Sequence, residues 1–264
     1  GASTAVSPAT AALVAASLDA AHRTGGAFDP TVYPLTSAWG FTTGDHRVPS
    51  PDEVAALLPC VGYAAVQVDE AAGTVTLEDG AQIDVGGVAK GFAADELRAL
   101  LRERDITSAL FDLGGNVTAL GSKPDGSPWK VGVADPDDPG KLAGLLEVRD
   151  ATVSTSGAYQ RYFEGKDGTR YHHLLDPSTG YPAASDLASA SVVGADGAQC
   201  DALSTACFVL GLDGALDLWR AAAADGDAAF DLVLIASDGR TFVTDGIADA
   251  YTPAAGTNAQ VVRS

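Results

Sequence analysis

Helix-like and strand-like segments are interleaved along this chain without a strict strand–helix–strand repeat. That order favours an α+β or mixed α/β fold, with mixed or antiparallel sheets and flanking helices. No internal repeat and no linker-like stretch interrupts the pattern. Residues 1–264 are therefore expected to form a single domain.

Capping residues and apolar spacing locate the individual elements. Residues 7–26 predict a helix that opens at Ser7 or Pro8, and residues 50–59 predict a short one with a Ser50 cap. Further helices are expected at 88–105, 201–210 and 214–224, and strands at 64–87, 108–121, 128–136, 144–157, 187–195 and 230–247, the last a hairpin that turns at Asp238–Gly239. Residues 171–183 are loop-like, and only the tail from about Thr252 looks weakly structured.

The chain carries a formal net charge of −19. Such a surface repels nucleic-acid backbones and anionic membranes, so neither is an expected partner. A phosphate-bearing ligand has to be attracted locally, by a metal, a lysine or helix N-termini. Cys60, Cys200 and Cys207 lack CxxC spacing and are expected to be small buried hydrophobic residues. No apolar run approaches the ~18 residues of a membrane span.

The segment "QIDVGGVAKGFAAD" (82–95) predicts a strand that ends at Asp84–Val85, a turn at Gly86–Gly87 and a helix from about Val88. Lys90 then lies in the first helical turn, where backbone N–H groups favour anions and a cation is unfavourable. Lys90 is either a solvated surface side chain or part of a phosphate site with the helix start. The segment does not match the GxxxxGK[ST] pattern of a P-loop.

The segment "CDALSTACFVLG" (200–211) predicts a buried helix that carries Asp201 and Thr205 on one face. Asp201 could be an N-cap or first-turn acid, and Thr205 could bond its own i−4 carbonyl. Alternatively, the carboxylate and the hydroxyl together present two hard oxygens that suit Mg²⁺. Spacing alone does not separate these interpretations.

Three further segments leave a structural and a functional interpretation open. Gly114–Gly115 is either a hairpin turn or backbone kept bare for a ligand. Thr155 and Ser156 lack the GxSxG context of a nucleophile, which leaves helix capping or ligand binding. His173, before the Asp176–Pro177 turn, is a base, a metal ligand or a plain turn residue.

Taken together, these segments resemble the ApbE family, the FAD:protein FMN transferases. The resemblance covers about residues 20 to 246. It rests on ordered motifs, namely "GGAFDPTVYPLTSAWGF", "IDVGGVAKGFAAD", "FDLGGNVTALG", "WKVGVADP", "TSGAYQRY", "HHLLDPSTGYP" and "CDALSTACFVLG". The N-terminal strand and segment that usually precede the first helix in this family are not seen, nor is a lipoprotein leader.

The resemblance implies a two-lobed fold with FAD in a cleft between the lobes and Mg²⁺ on its pyrophosphate. Asp201, Thr205 and the carbonyl of Ala89 are the implied metal ligands, and His173 and Asp201 the implied catalytic residues. The implied FAD contacts are Lys90 at a phosphate, Asp95 nearby, Gly86, Gly87, Gly114 and Gly115 as walls, the hydroxyls of Thr155 and Ser156, and Trp39 and Tyr159 for ring packing.

The implied reaction transfers FMN from FAD to a Thr or Ser hydroxyl of an acceptor protein and releases AMP. The alternatives are a Mg²⁺-dependent FAD pyrophosphatase and a flavin-binding protein without turnover. The expected acceptor carries a [ST]GA[ST]-type motif. The chain's own "SGAY" (156–159) is not expected to be flavinylated. The implied location is extracytoplasmic, with a lipid anchor on the full-length protein.

Overall fold

The computed structural model describes residues 3–138, 140–225 and 230–264. Its helices are α1 (Pro8–Arg23), α2 (Tyr33–Ala38), α3 (Pro51–Leu57), α4 (Ala89–Glu103) and α5 (Gly197–Asp225). Its strands are β1 (Ser3–Ala5), β2 (Val66–Asp69), β3 (Thr74–Leu77), β4 (Ala109–Leu113), β5 (Asn116–Leu120), β6 (Trp129–Ala134), β7 (Leu142–Val148), β8 (Thr152–Gly157), β9 (Tyr162–Glu164), β10 (Arg170–His172), β11 (Leu187–Gly194), β12 (Asp231–Ala236), β13 (Thr241–Thr244), β14 (Tyr251–Pro253) and β15 (Ala259–Val262). The predicted α+β class is confirmed.

Local signals placed several element boundaries correctly. The Ser7 hydroxyl accepts from Thr10 N–H and caps α1, and the Ser50 hydroxyl caps α3 in the same way. β12 and β13 form the predicted hairpin, with Gly239 at a φ of 85° in its turn.

A seven-stranded sheet in the order β15-β13-β12-β11-β8-β5-β4 organises the molecule. Its neighbours are antiparallel except β13 and β15, which are parallel. Helix α5 packs on one face through an apolar cluster that includes Leu203, Phe208 and Trp219. A second cluster joins the opposite face to the small sheet β14-β7-β6. The sheet is therefore buried on both faces, and α5 is held rigidly on it.

Helix α5 contains both helices predicted at 201–210 and 214–224. They meet at Gly211, whose φ of 72° breaks the helical geometry. The carboxylate of Asp186 accepts from Leu212 N–H at 2.8 Å and restarts the helix beyond the break. By length and composition α5 is also long and apolar enough to cross a membrane, a test that core helices of soluble proteins pass too. Half of its most apolar window is buried inside the protein, which fits a core helix.

Four predictions of secondary structure were wrong. A strand does precede the first helix, since residues 3–5 form β1 and pair with β3. The tail from Thr252 contributes β14 and β15, which gain their stability by pairing with β7 and β13. Residues 82–85 form no strand, because Asp84 N–H bonds to the Pro30 carbonyl at 2.7 Å and not to a neighbouring strand. Residues 170–172 form the short strand β10 within the loop-like region. Cys200 and Cys207 are buried as expected, whereas Cys60 is only half-buried.

Candidate active site

A cleft of about 570 Å³ lies between the segment that joins α1 to α3 and the strands and helices of the core. Its apolar wall includes Phe28, Tyr33 and Phe41, and its polar wall includes Ser156, Arg161, His173 and Thr205. Gly87 also lines it, and a Cβ there would approach Phe28 Cε2 to 2.9 Å. The size and the mixed lining suit a ligand with one flat apolar part and one polar part.

Helices α4 and α5 cross in close contact beside this cleft. A Cβ at Gly91 would lie 1.9 Å from the Gly197 carbonyl oxygen, so only glycine permits the crossing. Through this contact the first turn of α4 reaches the side chain of Asp201 on α5. Gly91 N–H donates to Asp201 Oδ2 at 3.2 Å.

Asp201 is only 4% exposed and is paired with Lys90. Lys90 Nζ lies 3.1 Å from Oδ1 and 3.3 Å from Oδ2, and it also donates to the Gly86 carbonyl at 3.3 Å. The Ser154 hydroxyl approaches Oδ1 at 3.4 Å. Lys90 is thus neither a fully solvated surface residue nor a lone phosphate ligand, since it neutralises a buried carboxylate in this structure.

Four hydroxyls form a chain of contacts that starts at the Asp201 carboxylate, on the side of the sheet that α5 covers. Ser154 and Ser156 alternate on β8 and face α5, where Ser156 Oγ lies 2.8 Å from Ser204 Oγ and 3.3 Å from Thr205 Oγ1. Ser204, not Thr205, bonds back to the carbonyl of Asp201. Thr205 is therefore free of the back-bond that the structural interpretation required.

The interpretation of Asp201 as a helix cap is wrong. The α5 cap is Asp196, whose carboxylate accepts from Gln199 N–H at 2.9 Å, and Asp201 lies beyond the first turn. Asp201 instead projects from within the helix towards Lys90. Its position is explained by the contact with α4 and not by the helix dipole.

The residues present fit a hard divalent cation. Asp201 offers a carboxylate and Thr205 a hydroxyl one helical turn away, and Ala89 is the first residue of α4, two residues before Gly91, whose N–H contacts Asp201. Within the described parts of the chain, no three His, Cys, Asp or Glu side chains converge. Mg²⁺ does not require such a cluster, because it uses one or two carboxylates and completes its shell with water and substrate phosphate.

His173 lines the cleft, and its backbone N–H and ring Nδ1 both lie 3.1 Å from the Arg161 carbonyl. Because a carbonyl only accepts, Nδ1 carries the proton and Nε2 keeps its lone pair. Burial lowers the pKa of His173 to about 4. The ring is therefore neutral at physiological pH and able to accept a proton at Nε2.

Trp39 does not line the cleft, in contrast to the flavin-packing role expected for it. Its side chain is fully buried, and its Nε1–H donates to the Gly180 carbonyl at 2.9 Å. It belongs to an aromatic cluster with Tyr171 and Tyr181. Phe28 and Phe41 present the aromatic surface of the cleft instead.

Thr155 and Asp95 also point away from the cleft. Thr155 Oγ1 bonds to Ser191 Oγ at 2.7 Å, because strand alternation directs it away from its neighbour Ser156, which does line the cleft. The Asp95 carboxylate accepts from Gly197 N–H and Ala198 N–H, each at 3.0 Å, and so secures the start of α5.

The glycine pairs have different reasons to be glycine. Gly114 and Gly115 have φ of 63° and 95° and form the β4–β5 turn, and a Cβ at Gly114 would lie 3.4 Å from Lys90 Cδ. Gly86 supplies the carbonyl that Lys90 contacts. Tyr159 packs its ring over Gly157, where a Cβ would come within 2.5 Å of it. Direct flavin contacts of these residues remain predictions.

Sequence reasoning missed several polar groups of the site. Asn116 is 1% exposed, and its Oδ1 accepts from Ser154 at 2.7 Å, which connects it to Asp201. Its Nδ2 has no partner among the described residues. Arg161 contributes a cleft-lining cation and the carbonyl that orients His173. Asn116 directly follows the glycine pair of "LGGN". Because residues two apart on a strand face the same side, the prediction for Ser156 could have been extended to Ser154.

Comparison with known proteins gives a consistent result. The model of the ApbE family matches residues 1–230. A FAD:protein FMN transferase of Treponema pallidum is 41% identical over 224 residues, which cover 79% of this chain and 62% of that protein. The chain thus spans less than two thirds of the length of this relative.

Two solved structures share the fold. The ApbE protein of Thermotoga maritima has a TM-score of 0.85 and 35% identity, over 95% of this chain and 80% of that one. The flavinyl transferase ApbE of Pseudomonas stutzeri has a TM-score of 0.79 and 32% identity, over 95% and 77%.

Proposed function

The chain belongs to the ApbE family, and on that premise we propose that it transfers FMN from FAD to a Thr or Ser hydroxyl of an acceptor protein, with release of AMP. The observation that carries the proposal is the cleft itself. A neutral histidine and two hydroxyls line its polar wall, and Ser154 and Ser204 connect those hydroxyls to the Lys90–Asp201 pair.

The reaction exchanges the AMP on the FMN phosphorus of FAD for the hydroxyl oxygen of the acceptor. The acceptor oxygen forms a bond to the phosphorus on the FMN side, and the bond from that phosphorus to the bridging oxygen breaks. AMP leaves with that oxygen, and the hydroxyl proton has to be removed. Such a transfer demands positioning and charge neutralisation more than covalent help from the protein.

His173 is the proposed proton acceptor. Its Nδ1–H is held by the Arg161 carbonyl, so the ring is fixed with Nε2 as the free base. Its lowered pKa keeps it unprotonated near neutral pH, which general-base catalysis requires. Arg161 therefore acts on the reaction by orienting His173.

Asp201, Thr205 and the Ala89 carbonyl are the proposed Mg²⁺ ligands. When bound, Mg²⁺ supplies charge neutralisation on the diphosphate oxygens. Lys90 adds a positive charge at the first turn of α4, whose N–H groups favour anions as well. The apolar wall with Phe28 and Phe41 is the proposed surface for the flavin ring.

We further propose an acceptor with a [ST]GA[ST]-type motif and an extracytoplasmic, lipid-anchored full-length protein. The "SGAY" segment of the chain itself is not proposed as an acceptor. Ser156 is buried on β8 and hydrogen-bonded to Ser204. Mass spectrometry after incubation with FAD and Mg²⁺ is expected to show no added FMN on this chain.

Incubation of the protein with FAD, Mg²⁺ and a peptide carrying the acceptor motif tests the proposal. We expect the peptide to gain the mass of FMN and AMP to appear in equal amount. If only free FMN and AMP form, the protein is a pyrophosphatase and the transferase proposal fails. If FAD binds without any product, it is a flavin-binding protein.

A further inference from the structure

We infer that Lys90 is a resident counter-ion of Asp201 that a divalent cation has to displace, so that the metal and the diphosphate of FAD bind cooperatively. The inference deepens the proposed function and rests on its placement of a cation at Asp201. It concerns how the site selects a metal that arrives together with a diphosphate.

Lys90 contacts both of the carboxylate oxygens of Asp201 that a metal ion could bind. Its Nζ lies 3.1 and 3.3 Å from the two carboxylate oxygens, so neither oxygen is free of it. A divalent cation would sit about 2.0–2.1 Å from one of these oxygens. An ammonium group and a metal ion cannot share the carboxylate at those distances without strong repulsion.

Asp201 needs a cationic partner whether or not a ligand is bound. It is 4% exposed, and its remaining partners are one backbone N–H and one hydroxyl. A buried carboxylate without a positive partner is strongly destabilising. Lys90 therefore stabilises the fold until another cation takes over.

Lys90 is able to move its side chain away from Asp201. Its side chain is 40% exposed on a flexible four-carbon stem, unlike the carboxylate it faces. It lies in the first turn of α4, with its stem beside the turn at Gly114, where a Cβ would be at ordinary contact distance, 3.4 Å, from Lys90 Cδ. A diphosphate in the cleft would receive the displaced ammonium group, whereas a metal ion alone would leave it without a partner.

Binding of Mg²⁺ alone, measured by isothermal titration calorimetry in the absence of FAD, tests the inference. We expect weak binding by the wild type and by Lys90→Arg, which keeps the positive charge. Lys90→Met is expected to bind Mg²⁺ at least about tenfold more tightly, because repulsion is removed and Asp201 lacks a cation. Its melting temperature should rise with added Mg²⁺ far more than that of the wild type.

Lys130→Met is the matched control, since Lys130 pairs with Glu147 at 3.3 Å on an exposed face of β6 and β7. It should leave Mg²⁺ affinity unchanged. Lys90→Gln, which removes the charge but keeps an N–H donor, should behave like Lys90→Met and covers the case that Lys90→Met does not fold. Adding Asp201→Asn to either variant should abolish the gain.

Mg²⁺ affinity in the Lys90→Met or Lys90→Gln variant that is equal to or weaker than in the wild type would overturn the inference. A gain that survives Asp201→Asn would overturn it as well. These readouts do not depend on catalysis. Failure of the wild type to transfer FMN would count against the proposed function, but it would leave the competition between Lys90 and Mg²⁺ to be decided by the titrations.

Discussion

The two sides of the α4–α5 contact carry aspartates in reciprocal arrangements. Asp201 on α5 accepts from Gly91 N–H on α4, and Asp95 on α4 accepts from Gly197 and Ala198 N–H on α5. Each also has a cation: Lys90 comes from the opposite helix, and Arg98 comes from the same helix. The two carboxylates nevertheless face different surroundings.

Asp95 has all its partners within the helix contact. Two backbone N–H groups and a guanidinium at 2.6 Å hold its oxygens, so it joins the helices. Asp201 instead adjoins hydroxyls that continue to the cleft and a lysine that is partly solvated. Burial and charge alone therefore do not separate the two carboxylates, whereas their hydrogen-bonding neighbours do.

The largest effect on FMN transfer should come from substitution of His173, which lines the cleft. His173→Asn removes the proposed base, and we expect FMN transfer to fall by about 10²-fold or more. His172→Phe is the matched control, because His172 packs against Phe208 and its Nδ1 has no partner among the described residues. A transfer rate near the wild-type value in His173→Asn would remove the histidine from the mechanism.

The crossing that both aspartates depend on can be broken directly. In Gly91→Ala the new methyl group meets the Gly197 backbone, so we expect a loss of about 3 kcal/mol in the free energy of unfolding. Gly126→Ala has open space around its Cβ and costs only its positive φ, about 1 kcal/mol. Urea denaturation of both variants measures the difference, and equal losses would show that the crossing is not tight.

Substitution of Asp95 should lower the stability of the protein. Asp95→Ala removes the acceptor of two α5 N–H groups and the partner of Arg98, and we expect a loss of about 2 kcal/mol. Glu96→Ala is the matched control, since the neighbouring carboxylate is exposed on the same helix. Thermal denaturation compares the two, and an unchanged melting temperature in Asp95→Ala would contradict its structural role.

The smallest effect near neutral pH should come from the titration of His173, and this effect on stability grows as the pH is lowered. Its pKa is about 4 in the folded protein and 6.5 when unperturbed, so the unfolded chain binds more protons between these values. Stability therefore falls as the pH drops from about 6.5 towards 4. The difference in unfolding free energy between wild type and His173→Asn should change over that window, and a constant difference would contradict the lowered pKa.

Local sequence signals predicted much of the fold. Ser7, Ser50 and Gly239 act through bonds and dihedral angles within a few residues, so their positions could be predicted. β15 could not, because it has no strong pattern of its own and is stabilised by parallel pairing with β13.

The candidate site likewise contains residues that local motifs predicted and residues that only the tertiary structure reveals. The motifs predicted that Lys90, Asp201, Thr205 and His173 belong to one site. In the structure, Thr205 and His173 line the cleft, and Lys90 is paired with Asp201 beside it. Asp95 could not be placed by local signals, because it secures the start of α5 through backbone N–H groups that lie 102 and 103 residues further along the chain. Trp39 looked suited to the cleft by sequence, but its side chain is fully buried and donates to the Gly180 carbonyl, whereas Phe41 lines the cleft.

The central claim is that Asp201 serves the reaction and Asp95 serves the fold. The most direct measurement compares FMN transfer to the acceptor peptide by Asp201→Asn and Asp95→Asn at equal concentrations of folded protein. We expect Asp201→Asn to lose at least about 10²-fold in rate while remaining folded, and Asp95→Asn to stay within a few-fold of the wild type. Near-wild-type transfer by Asp201→Asn, or an equal loss in both variants, would contradict the account.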